Sequence, residues 1–109
     1  MEKKQAIDAL AGLAHDMRID VFRLLMQAGP DGMAAGEIAG RLDVKANTLS
    51  NNLNVLSAAG LVRAVREGRS IRYFARMDGV RDLLGFLLED CCGGDPAMCR
   101  SLLDGMTCR

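Results

Sequence analysis

The sequence lacks the motifs of common enzymes. Its single histidine, His15, has no evident catalytic partner, and no Ser/His/Asp arrangement, phosphate-binding loop or paired acid motif occurs. We therefore expect a protein that is not an enzyme and that needs no catalytic cofactor. His15 is expected to have a structural role where the first two helices meet.

Long apolar runs are also missing. No stretch of about 18 apolar residues occurs, so neither a membrane span nor a membrane partner is expected. The polar N-terminus has neither the apolar core nor the cleavage site of a signal peptide, which favours a cytoplasmic location. A length of 109 residues fits one domain, residues 1–109, and a hydrophobic share of 50% suffices for a packed core.

Cysteine is present and clustered. Three of the four cysteines, Cys91, Cys92 and Cys99, lie close together near the C-terminus. In a compartment where thiols are kept reduced, this pattern favours metal or redox chemistry over a disulfide framework. The alternative is that these thiols are buried or unused. We define residues 91–109 as the C-terminal cysteine-bearing effector segment.

Charge is absent only on average. The net charge is zero, yet residues 61–76 carry five arginines against Glu67 alone. The preceding sixty residues carry a net charge of minus one and the residues after position 76 a net charge of minus three. A local basic patch is what phosphate contacts need, so overall neutrality does not exclude binding to nucleic acid.

Hydrophobic periodicity predicts a mainly α fold with a small β-hairpin, arranged as a winged helix-turn-helix. The hairpin turn contains Gly68, which is expected to take a positive φ. The first predicted helix covers Lys3–Leu13, the fourth Ala46–Ala59, and the fifth the segment from Asp78 to Cys91. The second predicted helix is capped by Asp16, and its recurring apolar residues are Ile19, Phe22 and Leu25 or Met26. The third predicted helix has a buried stripe of Ala35, Ile38, Ala39 and Leu42. The predicted strands are Val62–Arg66 and Ile71–Ala75, and a short last helix runs from Pro96 to Asp104.

The fourth helix has two contrasting faces. At 100° per residue, Leu49, Leu53 and Leu56 fall within about 60° of arc. Short side chains that form hydrogen bonds fall within about 100° on the opposite side. Asparagine is a poor helix former, so solvation alone explains such a strip poorly. A helix in the major groove needs such side chains. The predicted base-contacting residues are Asn47, Thr48, Ser50, Asn51 and Asn54.

The arginine-rich hairpin follows this helix directly. Its position favours contact with phosphates or with the minor groove, and the alternative is an exposed hairpin with solubilising charge. The predicted contacts are Arg63, Arg66, Arg69 and Arg72.

The fifth helix carries the strongest apolar stripe of the chain. Such a stripe is too apolar to face solvent at the end of a small domain. We therefore expect a two-fold homodimer formed through the terminal helices. The predicted interface residues are Ile7, Leu10, Val80, Leu83, Leu84, Leu87 and Leu88.

Several segments together resemble the ArsR/SmtB family of metalloregulatory repressors. The resemblance spans about residues 7–90 and rests on these segments: Leu13–Ile19, Glu37-Ile38-Ala39, Asn47–Leu53, Val55-Leu56, Ala59–Val62, Arg66–Arg69 and Tyr73. It implies a homodimer that represses from an imperfect palindrome and leaves operator DNA when an effector binds. It also implies base reading by Ser50 and Asn51. Ser50-Asn51-Asn52 stands where the family usually has Ser-His-His, so a different operator is expected. Lys45 replaces a small capping residue.

The cysteines resemble the C-terminal arsenite site of one branch of arsenic repressors. That site has the form C-C-G-G-x-P-x-x-C, which matches residues 91–99. The resemblance implies a repressor that releases DNA when Cys91, Cys92 and Cys99 bind As(III) or Sb(III). Soft ions that prefer three thiolates fit this set, whereas structural zinc prefers four ligands. The alternatives are a redox or persulfide sensor, a zinc or cadmium sensor with Cys108 as fourth ligand, and a metal-buffering protein.

Overall fold

The computed structural model describes residues 1–89, Arg100 and the pair Asp104–Gly105. Within residues 1–89, five α-helices and three short strands form a winged helix-turn-helix, which confirms the predicted mainly α fold. The elements are α1 (Lys3–Leu13), α2 (Asp16–Ala28), β1 (Met33–Ala34), α3 (Ala35–Leu42), α4 (Ala46–Ala58), β2 (Val62–Glu67), β3 (Ser70–Ala75) and α5 (Met77–Leu87), with a 3-10 turn at Gly29–Asp31.

The sheet has one strand more than the predicted hairpin. Its order is β1-β3-β2, and both pairings are antiparallel. Met33 of β1 pairs with Tyr73 of the central strand β3. Gly32 makes this approach possible because a Cβ there would lie 2.6 Å from the carbonyl oxygen of Tyr73. A strand of two residues is too short to show alternation, which is why the sequence did not reveal it.

The start of α2 and the end of α5 differ from the sequence-based prediction. The cap of α2 is His15, not Asp16: the chain is extended at His15, and its Nδ1 accepts a hydrogen bond from the Met17 amide at 3.2 Å. Asp16 is already the first helical residue. The predicted structural role of His15 is therefore confirmed. At the other end of the chain, α5 ends at Leu87 and does not reach Cys91.

The core lies where α2, α3 and α4 meet the sheet. Its fully buried side chains are Val21, Leu25, Ile38, Leu49, Leu53, Leu56, Leu61 and Val62. Each large aliphatic side chain of this kind stabilises the fold by about 1.5–3 kcal/mol. The inward face of α2 consists of Val21, Leu24 and Leu25, and Phe22 packs against the core from its side. The predicted face is therefore confirmed for Phe22 and Leu25 and wrong for Ile19 and Met26, which are exposed.

Small residues let the terminal helices pack closely over the end of α4. A Cβ at Gly12 of α1 would lie 2.9 Å from the Ala59 Cβ. A Cβ at Gly79 of α5 would overlap the carbonyl oxygen of Gly60. Gly60 follows the C-terminal end of α4 and has a φ of +78°. The contacts of α1 with both α4 and α5 keep these helices together at one side of the domain.

Candidate nucleic-acid interface

Helix α4 exposes the polar strip that the sequence predicts. Leu49, Leu53 and Leu56 are at most 1% exposed and anchor the helix in the core. The opposite face is open to solvent along its whole length. The exposed polar residues on it are Asn47, Thr48, Ser50, Asn51 and Asn54. The predicted two-faced helix is therefore confirmed, and contact of this face with bases stays a prediction. We call these five residues the reading face.

The start of α4 is capped from within the helix. Lys45 occupies the cap position, and its side chain makes no capping hydrogen bond. The Asn47 Oδ1 accepts a hydrogen bond from the Thr48 amide at 2.9 Å, so one of the unsatisfied donors of the first turn is bonded. The Asn47 side chain is exposed, so its Nδ2 can still donate a hydrogen bond to a ligand.

The β2–β3 hairpin, which we call the wing, has two faces of different composition. Gly68 takes the predicted positive φ, +60°, in its turn. The inner face of the wing carries the buried Tyr73, and the pair Arg66–Ile71 lies on this face. The pairs Arg63–Phe74 and Val65–Arg72 lie on the outer face. The four predicted arginines therefore do not form one basic surface.

Two arginines on the outer face of the wing are engaged within the protein. The Arg72 Nε donates to Glu67 Oε1 at 2.8 Å, and its Nη1 donates to the Asp31 carbonyl at 3.1 Å. The hydrogen bond and the charge of Glu67 raise the pKa of Arg72. The Arg63 guanidinium lies over the Phe74 ring, 4.2 Å from its centroid. These contacts hold both arginines away from α4.

The tip of the wing faces the reading face across a groove. This groove has a volume of about 340 Å³ and lies between α3, α4 and the wing. Ser50 of the reading face and Arg69 of the wing tip both line it, together with Ile71. The structure thus brings Arg69 and the reading face to one surface, and Arg66 reaches back across the turn towards the Gly68 carbonyl at 3.4 Å.

Asn52, the residue next to the reading face, is buried and hydrogen-bonded within the protein, which the sequence pattern did not predict. It is 8% exposed, and its amide bonds to Arg18, Thr48 and Met17. Its position on the helical wheel, beside the leucine stripe, is the signal that could have identified it. Asn52 therefore cannot stand in for the second histidine of the Ser-His-His pattern as an outward-facing residue.

An apolar surface remains on the terminal helices, away from the core. Ile7 and Leu10 of α1 are 53% and 44% exposed, and Leu84 and Leu87 of α5 are 39% and 51% exposed. Val80 and Leu88 are half-buried. Leu83, also predicted at the dimer interface, is 6% exposed and packs into the core of its own protomer.

The four cysteines lie outside the described residues, as does the rest of the effector segment and of the predicted last helix apart from Arg100, Asp104 and Gly105. Among the residues that the structure does describe, no group of three His, Cys, Asp or Glu side chains could hold a metal ion. In the same residues, no helix is long and apolar enough to cross a membrane.

A family model described as a helix-turn-helix domain matches residues 13–65. No relative among curated proteins matches the chain. Solved structures do. An ArsR-like transcriptional regulator from Rhodococcus sp. RHA1 is 25% identical over 96% of both chains, with a TM-score of 0.73. A possible transcriptional regulatory protein from Mycobacterium bovis is 30% identical over 78% of this chain and 89% of its own, with a TM-score of 0.63.

A second structure from Mycobacterium bovis is described as a homodimeric winged helix-turn-helix DNA-binding domain of a possible ArsR-family regulator. It is 24% identical over 97% of this chain and 88% of its own, with a TM-score of 0.66, and it supports the fold. The matched helix-turn-helix segment contains both α3 and the reading face of α4. The chain therefore contains a helix-turn-helix domain and is similar over nearly its whole length to an ArsR-like transcriptional regulator.

Proposed function

We propose that this regulator represses transcription as a homodimer bound to an imperfect palindrome, and that it leaves the operator when As(III) or Sb(III) binds to Cys91, Cys92 and Cys99. The observation that carries the DNA-binding part is the reading face. It is an exposed strip of amides and hydroxyls on a helix whose other side is fully buried. Such side chains recognise the edges of bases in the major groove.

The wing supplies the cationic part of the proposed contact. Arg69 lines the groove next to Ser50. When α4 lies in the major groove of a duplex, a phosphate backbone of that duplex therefore comes near the wing tip. Arg66 is the second candidate because it lies on the same face of the wing as Ile71. Arg63 and Arg72 contribute less in this arrangement, since both are held on the opposite face.

The exposed apolar surface of α1 and α5 supports the proposed dimer. Ile7, Leu10, Leu84 and Leu87 are exposed apolar residues on two helices that contact each other. A patch of this kind is the usual core of a two-fold interface. A two-fold dimer presents two reading faces, and these match palindromic half-sites about 34 Å apart.

Selection of duplexes from a random pool by the full chain tests this proposal, followed by mapping of the protected bases. We expect an imperfect palindrome with two protected half-sites. Sedimentation of the parent and of Leu87→Glu should give a dimer and a monomer, with Asp82→Glu as the control on the same helix. Recovery of unrelated duplexes, or a monomeric parent at micromolar concentration, would contradict the proposal.

The effector part rests on the chemistry of the cysteines. As(III) and Sb(III) are soft and take three thiolates in a pyramid, and the spacing of Cys91, Cys92 and Cys99 supplies three. Cys91 follows the end of α5 by four residues. Ligation next to a helix of the proposed dimer surface can therefore change the spacing of the two reading faces. A coupling of this kind typically changes affinity by about 5- to 150-fold.

Release of the operator during titration with arsenite tests this step. Cys91→Ser, Cys92→Ser and Cys99→Ser should each bind the operator but no longer respond, and Cys108→Ser should respond like the parent. Parallel titrations with zinc, cadmium and a mild oxidant distinguish the alternatives. A response to zinc or cadmium that needs Cys108 would favour a four-ligand metal sensor. A response to the oxidant alone would favour a thiol-redox sensor.

A further inference from the structure

One guanidinium connects three helices on the side of α4 that faces α1. The Arg18 Nε, on α2, donates to the Gly12 carbonyl at 2.6 Å, and its Nη2 donates to the Ala11 carbonyl at 3.4 Å. Both carbonyls belong to the last turn of α1, and the Ala11 carbonyl also accepts a hydrogen bond from the Ala14 amide at 3.2 Å. The last turn of α1 has no basic residue of its own, so Arg18 supplies the positive charge that the end of the helix favours.

The third contact of Arg18 reaches the helix that carries the reading face. Its Nη1 donates to the Asn52 Oδ1 at 3.3 Å. The Asn52 Nδ2 in turn donates to the Thr48 carbonyl at 2.9 Å and to the Met17 sulfur at 3.1 Å. Asn52 is thus a buried polar side chain whose donors and acceptor are all used.

The chemistry of the contacts allows only one orientation of the Asn52 amide. Rotation of the amide by half a turn would place its NH2 group against the Arg18 guanidinium and its oxygen against the Thr48 carbonyl. Both new contacts would be repulsive. The Arg18–Asn52 pair therefore has a single bonded state, which joins α4 to the last turn of α1 through the Arg18 guanidinium.

We propose that Arg18 and Asn52 are positioning residues for DNA recognition, which fix the reading face of α4 relative to α1. Neither residue is part of the reading face. Asn52 is buried beside the leucine stripe, while Ser50 and Asn51 face solvent two positions and one position earlier. A rotation of α4 by about 20° relative to α1 would displace its outer side-chain ends by about 2 Å, enough to alter the separation of two reading faces that are joined through α1.

This inference rests on the proposed dimer. Helix α1 carries Ile7 and Leu10, which belong to the proposed dimer surface, and α4 carries the reading face. A link between the two helices then sets the distance between the two reading faces of the dimer. Its loss should affect the recognition of half-site spacing more than the affinity for a single half-site.

The test uses Arg18→Lys in the full chain. Lysine keeps the charge but lacks the planar fork that bonds α1 and Asn52 together. Arg23→Lys is the matched control because Arg23 is an exposed arginine on the same helix. Asn52→Leu is a second variant, which keeps the number and branching of the side-chain heavy atoms and removes the acceptor and the donors. Each protein is titrated with the selected operator, with the same operator lengthened by one base pair between the half-sites, and with one half-site alone.

We expect the parent and Arg23→Lys to prefer the native spacing strongly. In Arg18→Lys and in Asn52→Leu this preference should fall about tenfold, the effect of losing one charge-assisted hydrogen bond, while affinity for one half-site changes little. The double variant should lose no more than the larger single loss, because both changes break the same link.

Two results would overturn the inference. One is that either folded variant, as judged by its thermal transition, keeps the spacing preference of the parent. The other is that affinity falls equally on all three duplexes, which indicates a general structural defect. If the parent selects no palindrome at all, the proposed function fails and this inference fails with it. If the parent discriminates spacing and the variants do so equally, only this inference fails.

Discussion

The reading face and the wing lie side by side, and they differ in how far their polar groups are already occupied. On α4, the exposed amides and hydroxyls have few partners within the protein, apart from the Asn47–Thr48 contact. On the wing, Arg72 is bonded to Glu67 and Asp31, and Arg63 is stacked on Phe74. The neutral strip is therefore more available for a ligand than much of the charged hairpin.

This difference shows why a count of charges overstates a basic surface. The wing is the most basic segment of the chain, but alternation along its strands sends its arginines to two faces. Only the face with Arg66 and the tip with Arg69 adjoin α4. Phosphate contact from the wing is thus expected to come from two arginines, not four.

The largest effect should come from the reading face. Asn51→Ala should cost about 1–3 kcal/mol on the selected operator and relax the preference at one base pair of each half-site, because an amide that bonds a base edge is removed. Titration of the operator and of its single-base variants measures both quantities. Gln27→Ala, an exposed amide on α2, is the control and should bind like the parent. Equal losses on operator and random duplex would show that Asn51 does not read sequence.

A smaller effect should come from the wing tip. Arg69→Ala should weaken binding to all duplexes alike and make the slope of log affinity against log salt less steep by about 1, since one phosphate contact is lost. Arg72→Ala is the comparison, and it should change the slope much less because Glu67 already neutralises it. If Arg72→Ala flattens the slope as much as Arg69→Ala, the two faces of the wing are not distinct in DNA binding.

Removal of the partner of Arg72 should reverse that outcome in part. Glu67→Gln takes one acid from the wing and frees the Arg72 guanidinium from its ion pair. We expect a modest gain in affinity for random duplex and a steeper dependence on salt, both smaller than the losses from Arg69→Ala. Equilibrium titrations at several salt concentrations measure this. A loss of affinity would mean that the Glu67–Arg72 pair is needed to shape the wing.

The smallest effect concerns Arg76, the last arginine of the basic segment. Its Nη2 bonds Asp78 Oδ2 at 2.7 Å, and this hydrogen bond lowers the pKa of Asp78. Because the pKa is lowered in the folded state, the pair stabilises the fold above the ordinary aspartate range, and this stability is lost as the pH falls through the pKa of Asp78. Unfolding curves of Asp78→Asn should therefore depend less on pH at the acid end than those of the parent, whereas Arg76→Gln should leave DNA affinity unchanged.

The residue pattern alone predicts most of the architecture. The periodicity of α1, α3 and α4, the glycine turn of the wing and the order of elements all follow from local preferences, because each acts within a few residues. The leucine stripe of α4 predicts the reading face as its opposite side. The resemblance to the ArsR/SmtB family rests on the same elements taken in order.

Contacts between distant segments decided the rest. The bond between Arg18 and Asn52 joins residues 34 positions apart. The pairing of Met33 with Tyr73 and the contact of Arg72 with Asp31 also join distant segments. Neither periodicity nor composition encodes such meetings. They depend on how the helices and the sheet pack in three dimensions, and that packing determines which polar side chains are already bonded and which remain for DNA.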